Sequence, residues 1–388
     1  MIELKAFYRH VERVFEGLGP ARSARRLAEQ IAPRLLEHLG GALGLAAVQL
    51  YAREGGAVRL GRQWGASRPD LAEEIARRLA GGGADEPPWA FEHPAGRAGV
   101  IDVDDAGGPY LALFGPAPGD LRPAPPRGEF LSALGSLRYA IAQHLHRRAL
   151  EDVLEQARTI QMSLLPAGRP AFGTFDVCGA SLPAQRVGGD VYDWLALDAE
   201  TLALVVADAS GHGLPAALQA RDVTVGLRMG VERDLKITRM VEKLNRIVHR
   251  SGLVTRFVSL VFGELEMNGN LTYINAGHPP PLLLDRAGAH ELTVGGPVLG
   301  PLPDAVYKMG FAHVDRGAAL AMFSDGVIEC RAPDGAMFGT EGVRAWLEAW
   351  REGPGEAAVA DLLRRLEAHR RGPTPEDDTT VLYVRRPA

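Results

Sequence analysis

The chain is 388 residues long, 46% apolar and 23% charged, with 43 basic and 48 acidic side chains and a formal net charge of −5. Those proportions belong to a folded globular protein of about two to three domains and exclude global disorder. Residues 1–150 carry 19 basic and 17 acidic groups and the remainder 24 and 31, so no basic face is expected for nucleic-acid phosphates or an anionic membrane surface.

Two cysteines, Cys178 and Cys330, rule out a disulfide framework or a four-thiolate metal site and read as small buried apolar residues. Glu3, Lys5, Arg9, Glu12, Arg13 and Glu16 interleave with apolar residues at the start, unlike a signal peptide. The longest weakly polar stretch, 39–52, falls short of the ~20 residues of a membrane span. A cytoplasmic protein is expected.

In chain order, helices are expected within residues 1–40, where Leu27, Ile31, Leu35 and Leu36 share a face and Gly40 and Gly41 end the run. Strands at 46–51 and 58–64 flank a turn at Glu54, Gly55 and Gly56. A helix at 71–79 closes on the glycines at 81–83, and strands follow at 100–103 and 110–114. The Gly/Pro-rich stretch 115–128 is a loop. This order describes an α+β sensor domain over 1–128 and resembles a GAF domain, on element order alone.

Residues 129–165 read as one helix, with no Gly after Gly135 and no Pro before Pro166. Leu150, Val153, Ala157, Ile160 and Leu164 follow the alternation of a coiled-coil seam. Leu134, Leu137 and Ile141 repeat the beat upstream, and 143–148 break the register. At ~1.5 Å per residue such a helix spans roughly 50 Å, so residues 129–168 are expected to form a linker that pairs two copies of the chain.

The third region, 169–388, predicts strands at 175–180, 190–197 and 202–207, then helices at 215–230 and 236–250. A hairpin follows, 257–266 with 271–276, around Asn268-Gly269. Strands at 281–284, 311–314 and 319–324, helices at 343–350 and 356–369, and a strand at 379–384 complete it.

The chemistry lies in where the aspartates fall. Asp190 begins one strand; Asp208 ends another and opens Ala209-Ser210-Gly211-His212-Gly213. Asp325 ends a third in Ser324-Asp325-Gly326, and Asp377 and Asp378 precede the last. Singly, an Asp beside Gly is an ordinary turn. Together, strand-end carboxylates can converge on one rim of a sheet sandwich, where they repel unless cations neutralise them. Oxygen ligands without thiolates favour Mg²⁺ or Mn²⁺ over zinc. Ser210 and His212 do not make a serine hydrolase, since the G-x-S-x-G elbow is missing.

Six words in order carry a resemblance: ARTIQMSLLP at 157–166, VGGDVYD at 187–193, VADASGHGLPAAL at 206–218, NAGHPPPL at 275–282, FSDGVIE at 323–329 and DDTTVL at 377–382. From about residue 150 onward the chain resembles the SpoIIE/RsbU-type branch of the metal-dependent protein serine/threonine phosphatases, the PPM or type-2C superfamily. The resemblance implies an α/β/β/α sandwich with two Mn²⁺ or Mg²⁺ ions at one edge. It matches Asp190 to the first metal aspartate, Asp208 to the bridging one, Ala209 to the position that lends a carbonyl, Asp325 to the third and Asp377 to the fourth. Asp378, His212 and His278 are left as supporting residues, with a general-acid role open for His212. The superfamily's phosphate-binding Arg has no clear counterpart; Arg186 is the candidate, against a plain surface strand residue. The implied activity is hydrolysis of phosphoserine or phosphothreonine, on a STAS-type anti-anti-sigma protein of a partner-switching pathway; the layout of sensor-like domain, long helix and phosphatase leads us to expect control by the N-terminal domain. The alternatives are a catalytically silent scaffold and a hydrolase of a small phosphorylated metabolite.

Overall fold

The computed structural model describes residues 4–19, 23–54, 57–67, 69–80, 88–93, 96–104, 109–115, 125–230, 236–251 and 257–388. The turn glycines at 55–56, the glycines at 81–83 and most of the loop 115–128 lie outside them. The chain divides into two compact units, Met1–Asp152 and Val153–Ala388. Among the described residues no helix is long and apolar enough to cross a membrane.

The first unit runs α1 (Leu4–Phe15), α2 (Ala24–Leu43), β1 (Ala47–Glu54), β2 (Ala57–Gly65), α3 (Pro69–Ala80), β3 (Trp89–His93), β4 (Gly96–Asp102) and β5 (Tyr110–Phe114), then enters α4 (Arg127–Met162). Its five strands form one antiparallel sheet in the order β2-β1-β5-β4-β3. The sheet is covered on both faces, which β5 shows by strict alternation. Leu111 and Leu113 join α2 and α4 through Leu27, Ile31, Leu35, Phe130 and Leu134. Tyr110, Ala112 and Phe114 join α3 through Leu71, Ile75 and Leu79.

Three sequence expectations need correction here. β3 was not anticipated. Helix α2 does not stop at Gly40 and Gly41 but continues to Leu43, ending on Gly44 at φ 63°, whose N–H bonds the Gly40 carbonyl. A left-handed cap is what a Gly supplies and a Cβ resists, so Gly44→Ala should cost about 1 kcal/mol, read as a lower urea midpoint at unchanged slope. Leu134, Leu137 and Ile141 are not an upstream seam: all three are buried in this unit's core. The boundary between the units falls inside α4.

The second unit continues from α4 through β6 (Asp176–Leu182), β7 (Asp190–Ala196), β8 (Thr201–Ala209), α5 (Leu214–Gly230), α6 (Ile237–Arg250), β9 (Val258–Glu266), β10 (Asn270–Ala276), β11 (Leu282–Leu284), β12 (Ala289–Glu291) and β13 (Gly295–Gly296). It closes with β14 (Gly310–His313), β15 (Ala319–Phe323), α7 (Asp325–Ile328), α8 (Gly339–Trp350), α9 (Gly355–Arg370) and β16 (Thr379–Arg385). One sheet is β13-β10-β9-β8-β7, with β14 also on β10; the other is β12-β11-β15-β16-β6.

The sheets face each other across Val177, Leu204, Val206, Val261, Leu320 and Leu382. The opposite parity of the same strands faces helices. Val205, Ala207 and Phe262 meet α5 and α6 at Ala220, Val223, Val241 and Leu244. Ala321, Phe323 and Tyr383 meet α8 and α9 at Trp346, Leu347 and Leu362. Period-two strands with both faces apolar thus generate a four-layer α/β/β/α sandwich. Cys178 is buried as expected, whereas Cys330 is only half-buried.

Candidate metal centre

β7 and β8 are antiparallel neighbours, and their register sets Asp190 directly opposite Asp208. Asp208 is in turn opposite Ser259 of β9. From the other sheet, β15 ends at Phe323 and Asp325 opens the short helix α7, while Asp377 and Asp378 stand immediately before β16, the neighbour of β15. The aspartates of both sheets therefore meet at one edge of the sandwich.

Their electrostatics show that they feel one another. Asp190 is buried, and burial followed by the charge of Asp208 raises its carboxyl well above the usual range. The hydroxyls of Ser324 and Thr380 face it, yet its Oδ2 has no hydrogen-bond partner. Asp208, half-buried, is pushed up to about 7, first by desolvation and then by Asp325 and Asp377. Asp325 is raised by burial and by Asp377 and Glu329. Such a group relaxes only by binding protons or cations.

Three observations bear on whether divalent ions fit. The donors are all oxygens, which suits Mg²⁺ or Mn²⁺. The Asp190 Oδ2 is a buried acceptor without a donor. A Cβ on Gly189 would come within 2.4 Å of the Ala209 carbonyl oxygen and 3.2 Å of Asp208 Oδ1, so only glycine lets this loop lie against the expected carbonyl ligand. As placed, no three His, Cys, Asp or Glu side chains among the described residues are gathered closely enough to hold an ion. The donor set fits a hard cation in kind.

The supporting residues divide. Asp378 is buried, with Oδ1 accepting from the Ala184 N–H at 2.8 Å and Oδ2 from the Gly189 N–H at 2.6 Å. Asp377 is exposed, and one of its oxygens accepts the Asp378 N–H at 2.8 Å. His278 is buried, its Nδ1 2.7 Å from Ser259 Oγ and its backbone held by the Asn275 side chain. Its Nε2 faces the Phe323 carbonyl without forming a close hydrogen bond, and desolvation lowers the ring to about 3. His212 is exposed on the loop after β8, with Nδ1 3.2 Å from Gln185 Nε2. Arg186 lies in the turn before β7 and not in a strand, and its guanidinium pairs with Glu155 of α4 at 3.7 Å.

Sequence reasoning missed Ser324, Thr380 and Gln161. Each sits inside one of the quoted words, FSDG, DDTT and ARTIQ, which was the available signal. The Gln161 amide makes two bonds to one residue, donating to the Gly188 carbonyl at 2.6 Å and accepting its N–H at 3.1 Å. A recess of about 150 Å³ opens beside Asp377, with Glu329, Arg331 and Arg370 in its walls. A larger one of about 510 Å³, near the β9–β10 hairpin, contains none of the site aspartates.

Residues 198–387 match the family model for stage II sporulation protein E. Protein IcfG of Synechocystis sp. is 27% identical over 289 residues, covering 66% of this chain and 45% of that protein. Phosphoserine phosphatase RsbU of Bacillus subtilis is 29% identical over 194 residues, 49% of this chain and 58% of the relative. The chain thus spans about half the length of these curated relatives. Among solved structures, the SiaA-PP2C domain of Pseudomonas aeruginosa superposes with a TM-score of 0.55 at 19% identity, over 62% of this chain and 98% of that one. The PP2C domain of SpoIIE from Bacillus subtilis, solved with a fragment of its regulatory domain, gives 0.50 at 17% identity, over 55% and 62%. At those identities the superpositions speak for the fold: the C-terminal unit has the fold of PP2C phosphatase domains, and its residues 198–387 are similar to stage II sporulation protein E.

Proposed function

We propose that this chain hydrolyses phosphoserine or phosphothreonine on a protein substrate, with divalent ions held by Asp190, Asp208, the Ala209 carbonyl, Asp325 and Asp377. The observation that carries the reading is the convergence of strand-end carboxylates from both sheets whose burial and mutual repulsion raise Asp190, Asp208 and Asp325 together. Bound there, two divalent ions supply an activated water and neutralise charge on the phosphoryl oxygens. The chain's part is placement. β7 and β8 hold Asp190 against Asp208, Ser324 and Thr380 orient Asp190, and Gly189 keeps the loop low over Ala209. His212, exposed on the loop that follows Asp208, is the residue we infer as the donor to a leaving serine oxygen. Arg186 would have to leave Glu155 to meet a phosphate.

A STAS-type phosphoprotein is the substrate class we infer, on the likeness to RsbU. Pairing of two chains through α4 is supported by Leu150, Val153 and Ile160, which are 55%, 51% and 57% exposed on that helix. A GAF-like sensor role for the first unit rests on its α+β element order. The test uses the full chain stripped of metal and assayed with para-nitrophenyl phosphate and a phosphorylated STAS protein, with Mn²⁺ or Mg²⁺ added back. Turnover of both should appear only with added ion. Turnover in excess chelator, or none with either ion, refutes the proposal.

A further inference from the structure

We infer that Asp378 is a positioning residue of the metal edge and not one of its ligands, fixing the loop 184–189 from which Asp190 projects; what the edge does rests on the phosphatase reading above. The contacts are specific. Its two carboxylate oxygens are each taken by a backbone N–H, Ala184 at 2.8 Å and Gly189 at 2.6 Å, from the stretch just before β7. Asp190 Oδ2, by contrast, is buried and unpartnered. An oxygen already satisfied by a donor is the poorer candidate for a cation, and the free one the better.

The rest of Asp378 reaches the other strand ends. Its N–H donates to Asp377 Oδ1 at 2.8 Å, and its carbonyl accepts from Ser324 Oγ at 3.2 Å, the residue before Asp325. One residue therefore touches the approaches to Asp190, Asp325 and Asp377. Two glycines make room for it. A Cβ on Gly188 would fall 2.1 Å from Asp378 Oδ2, and one on Gly326 would fall 2.1 Å from its carbonyl oxygen. Packing that close around both the side chain and the carbonyl of one residue fixes its place.

The chemistry also explains why aspartate stands here. Two converging N–H donors need two acceptors. Asparagine offers one oxygen and one NH₂ group, so at least one backbone N–H would face a donor. Asp378→Asn keeps the shape and breaks one bond, a cleaner change than truncation.

The experiment compares the full-length wild type with Asp378→Asn, Gly188→Ala and Asp377→Asn. Amide hydrogen exchange is read on metal-free protein, and calorimetric Mn²⁺ binding and para-nitrophenyl phosphate hydrolysis on all four. Loss of one charge-assisted bond should speed exchange at Gly189 or Ala184 by about tenfold or more in Asp378→Asn. The same variant should weaken Mn²⁺ binding by about 10–100-fold while kcat at saturating Mn²⁺ stays near wild type. Gly188→Ala, which displaces the carboxylate sterically, should reproduce that pattern. Asp377→Asn should leave exchange at 184 and 189 unchanged and lose kcat. Unchanged exchange in Asp378→Asn, or loss of its kcat at saturating Mn²⁺ as in Asp377→Asn, overturns the assignment. If no variant or wild type hydrolyses the ester, the phosphatase reading fails, and exchange with calorimetry still decide what Asp378 does.

Discussion

Asp208→Asn should abolish metal-dependent hydrolysis, by about a thousandfold or more, and at the same time make the metal-free chain more stable. The two effects have one cause. Asp208 is half-buried among Asp190, Asp325 and Asp377, and its carboxyl is pushed up to about 7, chiefly by desolvation. A carboxyl whose folded value lies above its ordinary 3.8 supports the fold fully only below that ordinary value. The support is lost as pH rises through about 7. At pH 8 the ionised group therefore opposes folding by about 2–4 kcal/mol, and a neutral amide of the same shape does not. Chelated protein melted in urea at pH 8 and pH 4 provides the check. The variant should gain at pH 8 and show little difference at pH 4.

Added ion should invert the ranking. At a hundred times Kd, an ion that binds only the folded wild type adds about 2.7 kcal/mol, and the variant forfeits most of that. A wild type that is more stable than Asp208→Asn in chelator at pH 8, or a variant that still turns over with Mn²⁺, would sink the account. On the proposed reading the native sequence carries a local instability that a bound cation would relieve, as expected where function overrides local packing rules.

How much of this was legible in the chain depends on what each residue had to do. The strand-end aspartates stand out in the sequence because apolar strands announce their own ends: 202–207 stops at Asp208, and 319–323 stops at Ser324, one residue before Asp325. The register that sets Asp190 against Asp208 could not be read, since pairing is a property of two strands at once. The roles within the Asp377-Asp378 pair came from the resemblance alone, since the two are adjacent and chemically identical. Which one presses on the Gly188-Gly189 backbone is settled by a contact nearly two hundred residues away in sequence.

The errors have similar causes. Gly40 and Gly41 looked like a helix end, but α2 buries Leu43 in the core, and that burial carries the helix three residues further to a glycine that can turn left-handed. Leu134, Leu137 and Ile141 have helical spacing that suits a coiled coil or a domain core equally, and only the sheet beside them decides. The two-residue β13 offered no pattern, because its Gly295 packs against the Asn275 backbone with no side chain to display.

His278 should give the opposite pH dependence to Asp208, and the two can be separated. Its ring is fully desolvated and held near 3, well below the ordinary 6.5, so it stays neutral in the fold. A histidine lowered in this way contributes stability that is complete above about 6.5 and is lost as pH falls toward 3. Between pH 6.5 and 5 the wild type should lose on the order of 2 kcal/mol from this residue. His278→Gln keeps a polar end for Ser259 and cannot take up a proton. It should start lower at pH 7.5, by roughly 1–2 kcal/mol of imperfect packing, and the two curves should meet near pH 5. Contributions from the aspartates are common to both proteins and cancel in the difference. Parallel curves from pH 7.5 to 5 would mean that the ring is not buried neutral. The position of His278 says what that proton would do: Ser259 on one side is opposite Asp208, and Phe323 on the other precedes the turn to Asp325. A positive charge there would fall between the strands that present two of the proposed metal aspartates, so acid should weaken Mn²⁺ binding in the wild type more steeply than in His278→Gln.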